Sequence, residues 1–177
     1  MNKSAHGYEP RGGTRADAVA PRSAPDIFIA RDGAWFADGR RVVHEKIFRL
    51  FCDSLHPDGK GGHVLRIHDE ECPVRVEDAP FLVKRILSAR DEAGAPKLTA
   101  LLSDGTFEPF APGTLTRRGE DALYCRVRNG ALRARIGRAA CADIAPRLVS
   151  DESTGAYFFV LENVRFEIRD EDQPAVE

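Results

Sequence analysis

Apolar and polar residues alternate along most of this chain, in short runs separated by Asx-Gly pairs. Ile27 and Ile29 lead into Asp32-Gly33, Trp35-Phe36 follow, and a second pair stands at Asp38-Gly39. Alternation with period two marks half-buried strands, and an Asx-Gly pair between apolar runs predicts a hairpin, because both turn positions must tolerate positive φ. The period then changes. Ile47, Phe48, Leu50, Phe51 and Leu55 recur at helical spacing, which predicts an amphipathic helix stopped by Pro57-Asp58-Gly59. Two further strands, HVLRI and PVRVE, complete the passage and are joined by an exposed loop at His68-Asp69-Glu70-Glu71.

The same order returns later in the chain. LYCRVRNGALRARI is again a hairpin pattern, now about Asn129-Gly130. Ile144, Leu148 and Val149 give a short apolar-faced segment interrupted by Pro146, and AYFFVLENVRFEI supplies two strands. Aligning Gly33 with Gly130 puts Ile47 on Ile144 and, with small deletions, Val74-Arg75-Val76-Glu77 on Val164-Arg165-Phe166-Glu167. This predicts a strand-rich, duplicated α+β core, each repeat consisting of hairpin, helix and strand pair. The repeats span 26–79 and 117–169, with connecting strands over 80–116 that turn at Asp104-Gly105. Residues 1–25, rich in Gly, Pro, Ala and Arg without apolar periodicity, read as a disordered N-terminal tail, and 170–177 as an acidic tail.

Composition narrows the classes of function. At 177 residues, 42% of them hydrophobic, the chain can bury a real core as one domain or two small lobes. A net charge of −2 argues against a nucleic-acid binder, which needs an excess of Lys and Arg to neutralise phosphates. No apolar run approaches the roughly 18 residues of a membrane span, and the N-terminus lacks a signal-peptide pattern. Cys52, Cys72, Cys125 and Cys141 form no CxxC, so reduced thiols in a cytoplasmic protein are expected. His63, His68 and Cys72 lie near one another, but their spacing matches no standard zinc pattern, and no metal is expected.

Charge is unevenly spread. Arg117 to Arg147 holds eight arginines against Glu120, Asp121 and Asp143, a balance of +5; Leu148 to Glu177 has two basic and eight acidic residues, a balance of −6. A two-residue turn at Asn129-Gly130 would place Arg126 opposite Arg133 and Tyr124 opposite Arg135. One face then carries Tyr124, Arg126, Arg128, Arg133 and Arg135; the other carries Leu123, Cys125, Val127, Leu132, Ala134 and Ile136, a core face. Like charges directly opposite one another destabilise a strand pair, so this face calls for an anion. Three readings remain open. The anion is a phosphorylated, nucleotide-like small molecule, with Tyr124 stacking on a base. It is the chain's own acidic stretch, Glu162, Glu167 and Asp170 to Asp172. Or the face is simply solvated, with arginine stems lying on apolar surface.

DGAWFADGRRV, IFRLFCDSL, VRVEDAPFLV and VRNGALRARIGR occur in the order found in the bacterial domain-of-unknown-function family 1285, which this chain resembles over about residues 26–169. The resemblance implies a duplicated α+β core whose C-terminal half is similar to the pleckstrin-homology fold. It also implies a nucleotide-like ligand site between the halves and a role in signalling. The chain departs from the family pattern at IHDEEC, where a Thr-Pro-x-Glu segment is usual, and at AAC after the second hairpin, where an aromatic pair is usual.

Motifs of catalysis are missing. There is no Walker-type loop, dinucleotide fingerprint, G-x-S-x-G elbow or H-E-x-x-H, and nothing names a cofactor. His44 and Glu45 open the first helix and read as helix-start residues rather than a general base. In VRVEDAPFL, Glu77 and Asp78 are neighbours in an extended segment, so they point to opposite faces and do not converge on one substrate atom. Asp78 is expected to close an Asx-type turn at the corner before Pro80 and to wall the site between the repeats. The sequence thus points to a non-enzymatic binding protein for a small anion, with Tyr124, Arg126, Arg128, Arg133, Arg135 and Asp78 as ligand contacts. The alternative is a protein-interaction module that docks an acidic partner segment on the arginine face.

Overall fold

The structure, a computed structural model, describes residues 24–119 and 122–171. The tails expected at either end lie almost wholly outside the described residues. Alternation and turn chemistry produce the first sheet: β1 (Ile27–Ile29), β2 (Trp35–Ala37), β3 (Arg40–Arg41), then helix α1 (Glu45–Asp53), β4 (Leu55–Pro57), β5 (His63–Ile67) and β6 (Glu70–Val76). The strands lie in the order β3-β2-β1-β6-β5-β4, and β1 and β6 run parallel at the centre. Asp38 at φ 49° and Gly39 at φ 74° make the β2–β3 turn in the left-handed region the Asx-Gly pair anticipates.

The second sheet has nine strands. It contains β7 (Phe81–Arg90), β8 (Pro96–Leu102), β9 (Phe107–Pro109), β10 (Thr116–Arg118), β11 (Ala122–Val127), β12 (Leu132–Ile136), helix α2 (Arg138–Ile144), β13 (Leu148–Ser150), β14 (Tyr157–Leu161) and β15 (Val164–Asp170). Their order is β13-β14-β15-β10-β11-β12-β7-β8-β9, with β10–β15 and β12–β7 parallel. Six of these strands, β12-β11-β10-β15-β14-β13, follow the order of the first sheet, with the helix after the third strand and the parallel contact in the middle. The molecule is thus a strand-rich α+β protein of two sheets.

Topology moves the expected equivalences. Asp38-Gly39, not Asp32-Gly33, is the counterpart of Asn129-Gly130, since each joins the second strand of its unit to the third. Likewise Glu77 corresponds to Glu171 rather than Glu167: each donates its backbone N–H to the first strand, at Ile29 (2.9 Å) and Arg117 (2.8 Å). Sequence reading misses β10, whose Thr-Arg-Arg carries no apolar alternation, as well as β4 and β13, whose apolar residues read as parts of the helices.

Both helices also differ from expectation. In α1 the inward side is Phe48, Phe51 and Cys52, the two rings lying 6.5 and 5.8 Å from that of Trp35. Ile47 and Leu50 stay 45% and 46% exposed, and Leu55 belongs to β4. The aromatic side wins because it meets the largest buried ring. In α2, Ile144 is the last residue; Pro146 cannot continue the helix, so a 3-10 turn over Ala145–Arg147 leads Leu148 and Val149 into β13. Asp143 fixes α2 to β7, accepting from the Arg85 guanidinium (2.8 and 2.9 Å) and from the Ile86 N–H (2.9 Å).

One hydrophobic cluster runs through both sheets, with Trp35, Phe81, Val83, Leu102, Ala134 and Phe159 among its members. The sheets meet closely where the β1–β2 turn passes the β8–β9 turn. Gly33 has φ +83°, and a Cβ there would stand 2.8 Å from Ser103 Cβ. Gly33→Ala should therefore lose about 1–3 kcal/mol of folding free energy, read from the urea midpoint, because it meets both backbone strain and overpacking. No helix among the described residues is long and apolar enough to cross a membrane.

Candidate functional site

The β11–β12 hairpin takes the register its alternation requires. Tyr124 pairs with Arg135 and Arg126 with Arg133, while Cys125, Val127, Leu132, Ala134 and Ile136 are buried on the other side. The connection is a four-residue loop, 128–131, rather than a two-residue turn. Arg128 consequently leaves the arginine face. It sits at φ 53°, donates its N–H to the Glu108 carboxylate (2.8 Å), and pairs with Asp104 and with Glu108 Oε1 (2.9 Å), its guanidinium 5.0 Å from the Phe81 ring centroid. It ties the β11–β12 loop to the β8–β9 turn and to β9, and takes no part in the site.

Tyr124 is also placed otherwise than a base-stacking role needs. The residue is 2% exposed, and the guanidinium carbons of Arg133, Arg118 and Arg135 lie 4.4, 5.5 and 5.9 Å from its ring centroid. With its ring walled by cations it offers no free face. Its hydroxyl donates to Asp78 Oδ1 at 2.7 Å.

Asp78 is a hub of this cluster. It does not spend its carboxylate on an Asx turn but receives Arg135 Nη1 on Oδ2 at 2.6 Å, while Arg133 Nη2 donates to its backbone carbonyl at 2.7 Å. Arg133 and Arg118 also stand 3.8 and 3.9 Å from Oδ1. Burial pushes the Asp78 carboxyl up, but hydrogen bonds from Arg135 and Tyr124 and the charges of Arg135 and Arg133 more than offset it. It is held below the ordinary carboxylate value. Glu77 points elsewhere, accepting the Arg31 N–H at 2.9 Å, so the two adjacent carboxylates serve separate structures.

A second carboxylate enters from the residue that follows β15. Glu171 accepts from Thr116 Oγ1 (2.9 Å) and pairs with Arg133 (2.7 Å) and Arg118 (3.0 Å). Its neighbour Asp170 binds Arg117 through both oxygens (2.7 and 3.0 Å), with that guanidinium 4.5 Å from the Tyr157 ring centroid. Glu162 is remote and pairs with Arg90 at 3.0 Å. Asp172 lies outside the described residues.

Between these groups opens a cavity of about 340 Å³ lined by Thr114, Thr116, Arg118, Cys125, Arg126, Arg133 and Glu171. Three arginines face one carboxylate there. Arg126 is exposed and, among the described residues, its guanidinium has no carboxylate partner; its backbone N–H donates to Thr114 Oγ1 at 3.1 Å. The first sheet is close: on β5, burial pushes the His63 imidazole's pKa down, the Arg133 charge pushes in the same direction, and Asp58 opposes both. A second cavity of about 300 Å³ holds Arg90 and Arg147, but those are tied to Glu162 and to Ser88.

Of the six expected contacts, Arg126 and Arg133 line the larger cavity, while Tyr124, Arg135 and Asp78 support it from beneath. Thr114, Thr116, Arg118, Cys125 and Glu171 complete it; of these, sequence reading gave a place on the arginine face to Glu171 alone, within the stretch Asp170 to Asp172 offered as an internal anion. Arg118 precedes the hairpin in a strand without apolar pattern; Glu171 was signalled by the acidic end of the chain, and the internal pairing offered for that stretch is the one Glu171 makes with Arg118 and Arg133. His44 caps α1 without a side-chain bond, and among the described residues no group of His, Cys, Asp or Glu is placed to hold a metal ion.

No protein-family model matches the sequence, and no curated protein does. Two solved structures do. A DUF1285 family protein from Silicibacter pomeroyi DSS-3 is similar with a TM-score of 0.65 at 25% identity, over 81% of this chain and 79% of its own. A DUF1285 family protein from Shewanella baltica OS155 gives 0.57 at 25% identity, over 69% of this chain and 91% of its own. In fold, and at 25% identity over most of its length, this chain is similar to DUF1285 family proteins.

Proposed function

We propose that this protein is a non-enzymatic binder of a small anionic ligand, held in the cavity between β10, β11 and the end of β15. The observation that carries this reading is the surplus of positive charge: Arg118, Arg126 and Arg133 line the cavity against Glu171 alone, and Arg126 is uncommitted among the described residues. Guanidinium groups grip phosphate and carboxylate bidentately, and two threonine hydroxyls stand beside them. The ligand class is an oxyanion such as a phosphorylated metabolite; a nucleotide would bind through its phosphates rather than by stacking on Tyr124. The second reading, docking of an acidic protein segment, calls for an open face. Arg133 and Arg135 are only 22% and 24% exposed and already enclosed by internal carboxylates, which favours the small ligand.

We read the two six-stranded units as an internal duplication, supported by their common strand order and by the matched tethers of Glu77 and Glu171. On this reading the site borders the junction of the units, since Asp78, which binds its arginines, stands two residues after β6. We further propose, on the sequence resemblance to the family alone, a pleckstrin-homology-like form for residues 117–169 and a role in signalling.

Calorimetric titration with pyrophosphate and with ATP at low salt tests the site. Binding is expected, weakened about tenfold or more in Arg126→Ala, as suits the loss of a charge-assisted hydrogen bond. Arg126 is the suitable residue because it holds no described ion pair that folding needs. Absence of heat and of any melting shift with both compounds, or equal affinity in Arg126→Ala, would reject the proposal.

A further inference from the structure

We propose that Glu171 is a resident carboxylate occupying the anion seat of this cavity, and that it leaves when ligand binds, so that the end of β15 regulates access. The inference rests on the anion-binding reading above. Thr116 Oγ1, Arg118 and Arg133 hold the Glu171 carboxylate at 2.9, 3.0 and 2.7 Å. Those are the donors an incoming phosphate or carboxylate requires, and two of the three cavity arginines already point at this one group.

The two carboxylates on these arginines differ in kind. Asp78 is 5% exposed and is fixed in the corner before Pro80 by Tyr124 and Arg135. The Glu171 side chain is 16% exposed and borders the cavity itself. Displacing it takes a rotation of one side chain. The strand stays in place, because Asp170 is clamped by Arg117 and the Glu171 N–H is bonded to the Arg117 carbonyl at 2.8 Å.

Its topological counterpart sharpens the point. Glu77 makes the same backbone bond but turns its carboxylate to the nearby Arg31 N–H, a local structural role. Glu171 instead reaches across to cations that line a cavity. An internal anion on the ligand's donors lowers apparent affinity by the fraction of molecules in which the seat is free.

The test compares pyrophosphate binding by the full chain, Glu171→Gln and Glu171→Asp, using calorimetry at low ionic strength. Gln removes the competing charge. Asp keeps a negative charge nearby but, one methylene shorter, does not span both arginines. Both variants are expected to bind about tenfold tighter or more. A gain in Glu171→Gln alone assigns the effect to the local field and overturns displacement. Equal affinity in all three, with Arg126→Ala still weak, overturns the inference and leaves the anion site standing. No binding in any protein overturns both. A cooperative melt confirms that each variant is folded, and Glu171→Asp carries the test should Glu171→Gln not fold.

Discussion

Replacing Asp78 with alanine is expected to remove about 3 kcal/mol of folding stability, toward the lower end for breaking a buried charge pair. The side chain is 5% exposed and takes hydrogen bonds from Tyr124 and Arg135, with Arg133 and Arg118 within 4 Å. Alanine leaves a buried hydroxyl without its acceptor and packs cations together without an anion, and both are costly. Arg133 and Arg135 keep 22% and 24% of their side-chain exposure, so water moderates the effect. Asp78→Asn, which still accepts from Tyr124, should lose roughly half as much. The pH dependence has a definite sign. The folded carboxyl lies below its unfolded value near 3.8, so its contribution is present above that value and is lost as pH falls through the folded one. Urea midpoints of wild type and Asp78→Ala should therefore converge as pH falls from 7 to 2. Two parallel curves would show that Asp78 is not the group holding the arginines.

Trp35→Ala should cost more, about 3–5 kcal/mol, the range for removing a large aromatic from a packed core. Trp35 is 1% exposed and carries Phe48 edge-on and Phe51 tilted against it. Helix α1 has nine residues, too few to be stable alone; beside the two rings only the small Cys52 is buried, while Ile47 and Leu50 face outward. The loss should thus appear in α1 first: its amide protons should exchange far faster, while those of β11 and β12 keep their relative order of protection. Trp35→Phe, retaining a ring for Phe48 and Phe51, should recover at least half of the loss. Uniform loss of protection across both sheets would mean that α1 is not anchored mainly through this ring.

How far the sequence is legible varies by element, for physical reasons. The β11–β12 register could be worked out because pairing is local: a period of two and a turn near Asn129-Gly130 leave a single way to bury Cys125, Val127, Leu132, Ala134 and Ile136. Loop length was less determined, since a two-residue turn and the observed four-residue loop give the same pairs, and the direction of Arg128 depends on that difference. The side of α1 that turns inward was ambiguous because its apolar arc is wider than one contact; Trp35, ten or more residues away, decided it. β10 was invisible, because a short strand of polar residues is specified by its neighbours β11 and β15 and not by its own composition.

By itself the sequence determined the alternating strands, the Asx-Gly turns, the core face of the hairpin and the presence of an arginine cluster in need of an anion. These follow from interactions among residues close along the chain. Tertiary structure alone decided which anions answer that cluster and where space is left. Asp78, Tyr124, Arg135 and Glu171 are brought together from separate segments by the parallel contacts β10–β15 and β12–β7. Such pairings depend on how the sheet closes in space, and no local pattern encodes them. They turn an apparently bare arginine face into a walled cavity with one seat taken by the chain itself.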